Sequence, residues 1–588
     1  MTSGAPLHEP TAELPRVSSE AIRAHEERIR DELSTLYGQR TGEWAARRVF
    51  AMLAEQPRTP GVRRLTEADA ILIAYPDHLR REGMTPLQVL GAFAEAHLAD
   101  AVSAVHVLPF HPYTSDDGFA VSDCEAVAEQ HGTWDDLFAL SARFRLMVDL
   151  VLNHVSSQHP WVERYLRGDA KFASYFIEPS PEHDLSHVRR PRATPLLTPF
   201  ERPDGGEVDL WTTFGPDQLD LNYREPRVLL EALRVLLMHV RRDAYLVRLD
   251  AVGFVWKESG TESIHQPGAH TIVRLMRHVL DVVAPDVRLV AETNVPHAEN
   301  VTYLGSGDRE AQLVYNFALP PLLVHTMHTG DATALTDWAR TLRVPLPSAS
   351  FLNFTASHDG IGVTPVRGVL APADVDAMIA RVEAHGGLVS YRARPDGTHE
   401  PYELNVSYID ALTEPEAPDG LRAARFLVSQ AIMLAMQGVP AIYLHSLLGS
   451  RSWPAGVSGP TDRRAINRQK LTIDGDGPDA LRVSDLLDPE TLRGMVHGPY
   501  LRLLRIRRAT PAFHPRAPAT VLDLDPRVFA IERWTIDDEQ RIVALHNVSP
   551  DAATVKLPGG AWRDLITGER VMSEMQLAGY RVAWLVER

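Results

Sequence analysis

Eight short apolar, β-rich segments recur along the chain with helical stretches between them, and this alternation restricts the fold more than any other feature. They are ADAILIAYP (68–76), AVSAVHVLPF (101–110), FRLMVDLVLNH (144–154), AYLVRLDAV (244–252), VRLVAET (287–293), AQLVYNFA (311–318), SASFLNFTASHD (348–359) and GVPAIYL (438–444). Strands that alternate with helices build a parallel sheet, and eight such units are the number that closes a (β/α)8 barrel. The expected class is α/β, a TIM barrel carrying inserted subdomains and a C-terminal antiparallel β domain.

The spacing between segments supplies the boundaries. At 588 residues the chain exceeds one simple core, so a large domain with appendages is expected. Residues 1–66 read as an N-terminal helical extension and 67–154 as the first part of the barrel. An inserted B subdomain follows at 155–222, because the Pro-rich and aromatic stretch FIEPSPEHDLSHVRRPRATPLLTPF is too long for a plain connection. The barrel resumes over 223–360, a second insertion occupies 361–420, and 421–508 closes the barrel. Beyond it, 509–588 alternates apolar and polar residues in ATVLDLD, VFAIERWT, RIVALHNVS, TVKLP and YRVAWLVE, as an antiparallel domain does.

Charge and cysteine usage remove several function classes. A formal net charge of −17 and a pI near 5.8 oppose nucleic acid or an anionic membrane surface as the main partner. Cys124 is the only cysteine, which excludes an intrachain disulfide or a cysteine-based zinc cluster. No basic start with an apolar follow-on opens the chain, and no run approaches the roughly 18 apolar residues of a membrane span. A cytoplasmic protein is expected. No Gly-rich phosphate loop follows a strand in the way a nucleotide site requires.

In such barrels the chemistry sits at the C-terminal ends of the strands. Those ends carry Asp149, Asn153 and His154 on the third strand, Arg248 and Asp250 on the fourth, Glu292 on the fifth, and His358 and Asp359 on the seventh. Asp250, Glu292 and Asp359 should converge on one mouth. Paired carboxylates in an enclosed site suit glycosidic bond cleavage, one attacking the anomeric carbon while another, kept protonated, delivers a proton to the leaving oxygen. Arg248 lies two residues before Asp250 on the same strand face and should keep it ionised, while burial and neighbouring anions should raise Glu292. Asp149 and Asn153 offer two oxygen ligands, short of the about six to eight that Ca²⁺ takes, so no required metal is expected.

DLVLNH (149–154), RLDAV (248–252), AETN (291–294) and ASHD (356–359), in this order, resemble the four signature regions of the α-amylase superfamily. The resemblance implies that Asp250 is a nucleophile, Glu292 the general acid and base, and Asp359 the carboxylate that grips sugar hydroxyls in the transition state. It implies that His154, His358 and Arg248 line a glucose subsite. LPFHPYTSDDGFAVSD (108–123) is similar to the sucrose phosphorylase branch, which puts Asp116 and Phe119 over a terminal glucose. AINRQK (465–470) resembles the same branch's Asn-Arg pair and makes Arg468 a partner of the glucose 4-hydroxyl side. RLDAVGFVWKESGT, ETNVPHAENVTYLG and SYRARPDGTHEPYELN look most like glucosylglycerate phosphorylases, whereas GSRSWPAGVSGPTDRRAINR departs from the branch's usual connection after the eighth strand.

The resemblance then implies a retaining phosphorylase, with an α-glucoside and inorganic phosphate as small-molecule partners, no cofactor, and a monomer or homodimer. Arg392 and Arg394, in the second insertion, are candidates for the phosphate or glycerate anion. Sucrose phosphorylase or a related α-glucoside phosphorylase or hydrolase is the alternative in the same mechanistic class. A non-catalytic amylase-like binding module is the alternative outside it, and retention of all three carboxylates disfavours that reading.

Overall fold

The computed structural model describes residues 15–59, 64–305, 309–343, 348–394, 397–459 and 462–587. Residues 1–14, in the expected N-terminal extension, lie outside the described residues. All eight expected strands form: β1 (Ile71–Ala74), β2 (Ala104–Val107), β3 (Arg145–Val151), β4 (Ala244–Asp250), β5 (Arg288–Ala291), β6 (Leu313–Tyr315), β7 (Ser350–Asn353) and β8 (Val439–Tyr443). They pair in parallel with their sequence neighbours, and β8 returns to β1 to close the barrel. Helices cover the outer face, so the strands are apolar on both sides, as parallel sheets require.

The strands stop short of their apolar runs, and at two of them this shapes the site. The fourth run ends as strand at Asp250, because Ala251 turns into the left-handed region at φ 48°. The seventh ends at Asn353, and residues 354–359 leave the sheet as a loop that carries His358 and Asp359 over the barrel mouth.

Each long connection is organised by strand pairing of its own, separate from the barrel sheet. In the first, His154–Ser156 pairs with Gln218–Asp220, and Leu197–Glu201 with Glu207–Trp211. In the second, Ile361–Gly362, His399–Asn405 and Leu388–Ala393 form a three-stranded sheet beside the helix Pro372–Ala384. At the N-terminus the helix Ser19–Ala54, capped by Ser18 and bent at Gly38, packs on the helices Pro226–Arg241 and Pro267–Val283. Among the described residues no helix is long and apolar enough to cross a membrane.

After the helix Leu492–Arg508 comes the antiparallel C-terminal sheet. Two fully enclosed guanidinium groups, Arg533 of the sheet and Arg507 of that helix, bind carbonyls next to β8. Arg533 donates to the carbonyls of Ala435 at 2.9 Å and His514 at 2.8 Å, and Arg507 donates to that of Gly438 at 3.0 Å. Burial pushes Arg533 down to about 9 and Arg507 to about 10.

Candidate active site

A cavity opens at the C-terminal ends of the strands. Asp250, Glu292 and Asp359 all line it. Parallel register explains the local order: Asp149 on β3 faces Arg248 on β4, and Val151 faces Asp250. Residues two apart on a strand share a face, so Arg248 and Asp250 point together. Arg248 Nη1 donates to Asp149 Oδ1 at 2.5 Å and to Asp250 Oδ1 at 3.0 Å, while Nη2 lies 3.9 Å from Glu292 Oε2. Asp149 in turn is held by His106 Nε2 at 2.9 Å. An unpaired guanidinium this deep would be costly, and three anions surround it.

The three carboxylates differ in electrostatic setting. Burial raises Asp250 well above the usual carboxylate range, Arg248 notwithstanding, with Glu292 adding to the rise. Glu292 is also raised, by burial and then by the charge of Asp359, against Arg248 and the Ala251 N–H that donates to its Oε2 at 2.9 Å. Asp359 goes the other way: although burial opposes it, Arg464 and Arg248 hold it low. The sequence predicts opposite biases for Asp250 and Glu292. Instead, desolvation moves both upward, and the carboxylate kept most firmly ionised is Asp359.

The expected glucose-pocket residues assemble around these acids. Phe119 stacks on the His358 ring at 4.9 Å between centroids and an angle of 9°. His154 Nε2 contacts the Phe119 carbonyl at 3.0 Å, and Gln218 Nε2 bridges His154 and Asp116 at 3.1 and 3.2 Å. Burial lowers both His154 and His358, so each is a neutral imidazole at neutral pH. Arg468 is not among the lining residues. It lies behind them, donating to the His358 carbonyl at 2.8 Å and to Asp117 at 2.7 Å.

The two arginines expected to meet an anion are differently placed. Arg392 reaches the cavity wall and Arg394 does not line it. Both are engaged by Glu400, which also takes Arg367 at 2.5 Å and is held down to about 2 by these three cations despite its burial. Sequence reasoning missed Arg192, Arg464, Gln218 and Tyr402, which all line the cavity. Arg464 Nη1 meets Asp359 Oδ1 at 2.6 Å. Arg192 sits between the Phe214 and Tyr402 rings, 5.9 Å from each centroid, and has no ion pair among the described residues. Arg192 comes from a loop and Arg464 from the short 3-10 helix Arg463–Asn467, and neither has a periodicity that marks a residue as inward-facing.

Two clusters of oxygen or nitrogen donors have the makings of a cation site. Asn153 and Asp220, with the Phe254 carbonyl, surround Lys257 Nζ, which donates to Phe254 at 2.5 Å and pairs with Asp220 at 2.6 Å, so an ammonium already supplies the positive charge. His25, His278 and Asp281 bring ligand atoms within 4.8 Å of one another outside the cavity. Arg28 and Arg277 nearby disfavour added positive charge at both of these histidines.

A barrel of this topology with three acids gathered at its mouth defines a glycoside-transforming enzyme of the amylase type, and a family model described as "Alpha amylase, catalytic domain" matches residues 101–359. The chain is 43% identical over 585 residues to a glucosylglycerate phosphorylase of Spirochaeta thermophila, covering 95% of this chain and 98% of that one. It is 44% identical over 563 residues to a glucosylglycerate phosphorylase of Allomeiothermus silvanus, again covering 95% and 98%. The crystal structure of sucrose 6F-phosphate phosphorylase from Thermoanaerobacter thermosaccharolyticum superposes with a TM-score of 0.71 at 22% identity, covering 87% of this chain and 98% of that one. The chain belongs to the glucosylglycerate phosphorylase family within the α-amylase superfamily.

Proposed function

We propose that this enzyme performs the reversible phosphorolysis of 2-O-α-glucosylglycerate, yielding α-glucose 1-phosphate and glycerate with retention of configuration. The relatives' names support the donor, and one observation carries the chemistry: three largely enclosed carboxylates share a cavity with an arginine, Arg192, that makes no ion pair among the described residues. The leaving group of a neutral glucoside would draw no charge-assisted hydrogen bond from that cation. An anionic leaving group and inorganic phosphate both would.

In the first step Asp250 attacks carbon one of glucose and the bond to the glycerate oxygen breaks. Glu292 transfers its proton to that oxygen, so glycerate leaves as the alcohol and a β-glucosyl ester remains on Asp250. Asp250 and Glu292, both raised by burial, carry one proton between them in the reacting state. Arg248 favours its position on Glu292, because the guanidinium donates directly to Asp250 and stands farther from Glu292. In the second step a phosphate oxygen attacks carbon one from the vacated side, the ester bond breaks, and Glu292 takes the phosphate proton. Asp359 grips ring hydroxyls while positive charge develops. His154, His358, Asp116 and Phe119 enclose glucose, and Arg468 fixes His358 from behind. Arg192 takes the glycerate carboxylate or phosphate in alternate half-reactions, with Arg392 at the margin.

The glucosyl phosphate keeps much of the glycosidic bond's free energy, which makes the reaction reversible and suits it to a phosphate-rich cytoplasm. The test is incubation with phosphate and a panel of glucosylglycerate, sucrose, glucosylglycerol and sucrose 6′-phosphate, reading glucose 1-phosphate. Glucosylglycerate should give the highest kcat/KM. Release of free glucose regardless of phosphate would overturn phosphorolysis, and preference for sucrose would overturn the donor.

A further inference from the structure

Arg464 makes three short contacts to carboxylates, and only one of the carboxylates reaches the cavity. Its Nε donates to Glu403 Oε1 at 2.9 Å and its Nη2 to Glu403 Oε2 at 2.7 Å, a two-point grip that fixes the plane of the guanidinium. The remaining edge presents Nη1 to Asp359 at 2.6 Å. Glu403 is 1% exposed and does not line the cavity. It sits on the strand His399–Asn405 of the second insertion, where it pairs with Gly362 while Leu404 pairs with Ile361. That pairing brings it against the backbone beside Asp359: a Cβ on Gly360 would lie 2.5 Å from the Leu404 carbonyl and 2.8 Å from Glu403 Oε1.

We propose that Glu403 is a positioning residue for glucosyl transfer, holding Arg464 in the one orientation that aims and anchors the Asp359 carboxylate. The inference rests on the reading of Asp359 as the group that grips glucose in the transition state. A buried glutamate with no sugar to bind would be an expensive way to fill space. Here it makes the second insertion part of the catalytic apparatus. Removing it frees a long side chain to swing, and Asp359 loses a fixed donor as charge develops on the sugar. The cost therefore falls on turnover more than on ground-state binding.

The test uses α-glucosyl fluoride as donor and inorganic phosphate as acceptor, which needs the glucose pocket but not the natural leaving group. Glu403→Gln should lower kcat about 10- to 100-fold with KM for the fluoride changed less than about threefold. Glu403→Asp, which keeps the charge one methylene short, should fall between. Arg464→Ala should lose a similar factor, and the double variant E403Q/R464A should be no slower than R464A alone, because Glu403 acts through Arg464. Undiminished kcat in E403Q, or a double-variant loss equal to the product of the single losses, would overturn the proposal. Should E403Q melt early, E403D and R464A carry the same comparison, and a kcat of E403D equal to wild type would overturn it. An Asp359→Asn enzyme with full turnover would remove its premise. Glucose release in place of glucose 1-phosphate would refute phosphorolysis alone, and the E403Q and R464A losses would then be read in hydrolysis.

Discussion

Replacing Arg192 by Ala tests the acceptor reading most directly. The guanidinium is half-buried on the cavity wall, flanked by two aromatic rings and without an ion pair among the described residues. A charge-assisted hydrogen bond to a ligand carboxylate in such a site contributes roughly 1.5–3 kcal/mol. At about 1.4 kcal/mol per tenfold, the loss in kcat/KM for glucosylglycerate should be about 10- to 150-fold. For sucrose and glucosylglycerol, whose leaving groups carry no charge, the same variant should stay within about threefold of wild type, since the side chain adds only van der Waals contact there. Arg192→Lys keeps the charge but not the planar fork and should recover part of the loss. Initial rates of glucose 1-phosphate formation at saturating phosphate measure all of this. Equal losses on charged and uncharged donors, or no loss on either, would refute the assignment of Arg192 to the acceptor carboxylate.

Asp250→Asn should cost at least about a thousandfold in turnover by removing nucleophilic charge at nearly constant shape. Because burial raises the folded-state pKa of Asp250, its ionised form opposes folding at neutral pH, so this variant should melt above wild type in calorimetry; a lower melting temperature would contradict that sign. Lys257→Met leaves Asp220 buried without its countercharge and should destabilise the fold by about 3–5 kcal/mol in denaturant titration. Glu400 is held at about 2 in the fold against an ordinary 4.5, so its contribution to stability is present above pH 4.5 and is lost as pH falls towards 2; hydrogen exchange in residues 388–405 should rise over that window, and Glu400→Gln should remove the pH dependence.

What could be read from the sequence follows from how each residue is constrained. Barrel strands are buried on both faces, so each wrote itself as an unbroken apolar run, and a charge such as Asp250 or Arg248 inside one stood out. Strand ends did not, because nothing in FLNFTASHD marks where pairing stops and the loop to Asp359 begins. Arg392 and Arg394 stand out in the sequence by charge and by their place in the second insertion. Their neutralisation by Glu400 depends on the hairpin register that sets Arg392 opposite Glu400, which is a property of pairing and not of composition. Arg464 lies in TDRRAINR, in the connection that reads as a departure from the sucrose phosphorylase pattern. That departure was the available signal, and Arg468, four residues on, drew the attention because it matched a pattern. Glu403 had no signal of its own, since its meaning lies in a guanidinium 61 residues away.

The two arginines that plug the far side of the barrel bear on how the molecule can be cut. Arg533 reaches out of the terminal sheet to satisfy the carbonyl of Ala435, where the helix Asp419–Ala435 stops, and Arg507, from the helix Leu492–Arg508, satisfies that of Gly438 just before β8. A shortened gene product ending near residue 510 would keep every residue that lines the cavity and yet leave the Ala435 carbonyl stranded beside the last stave to be set in place. The sheet is therefore a keystone, and trimming it should yield insoluble protein rather than a smaller catalyst.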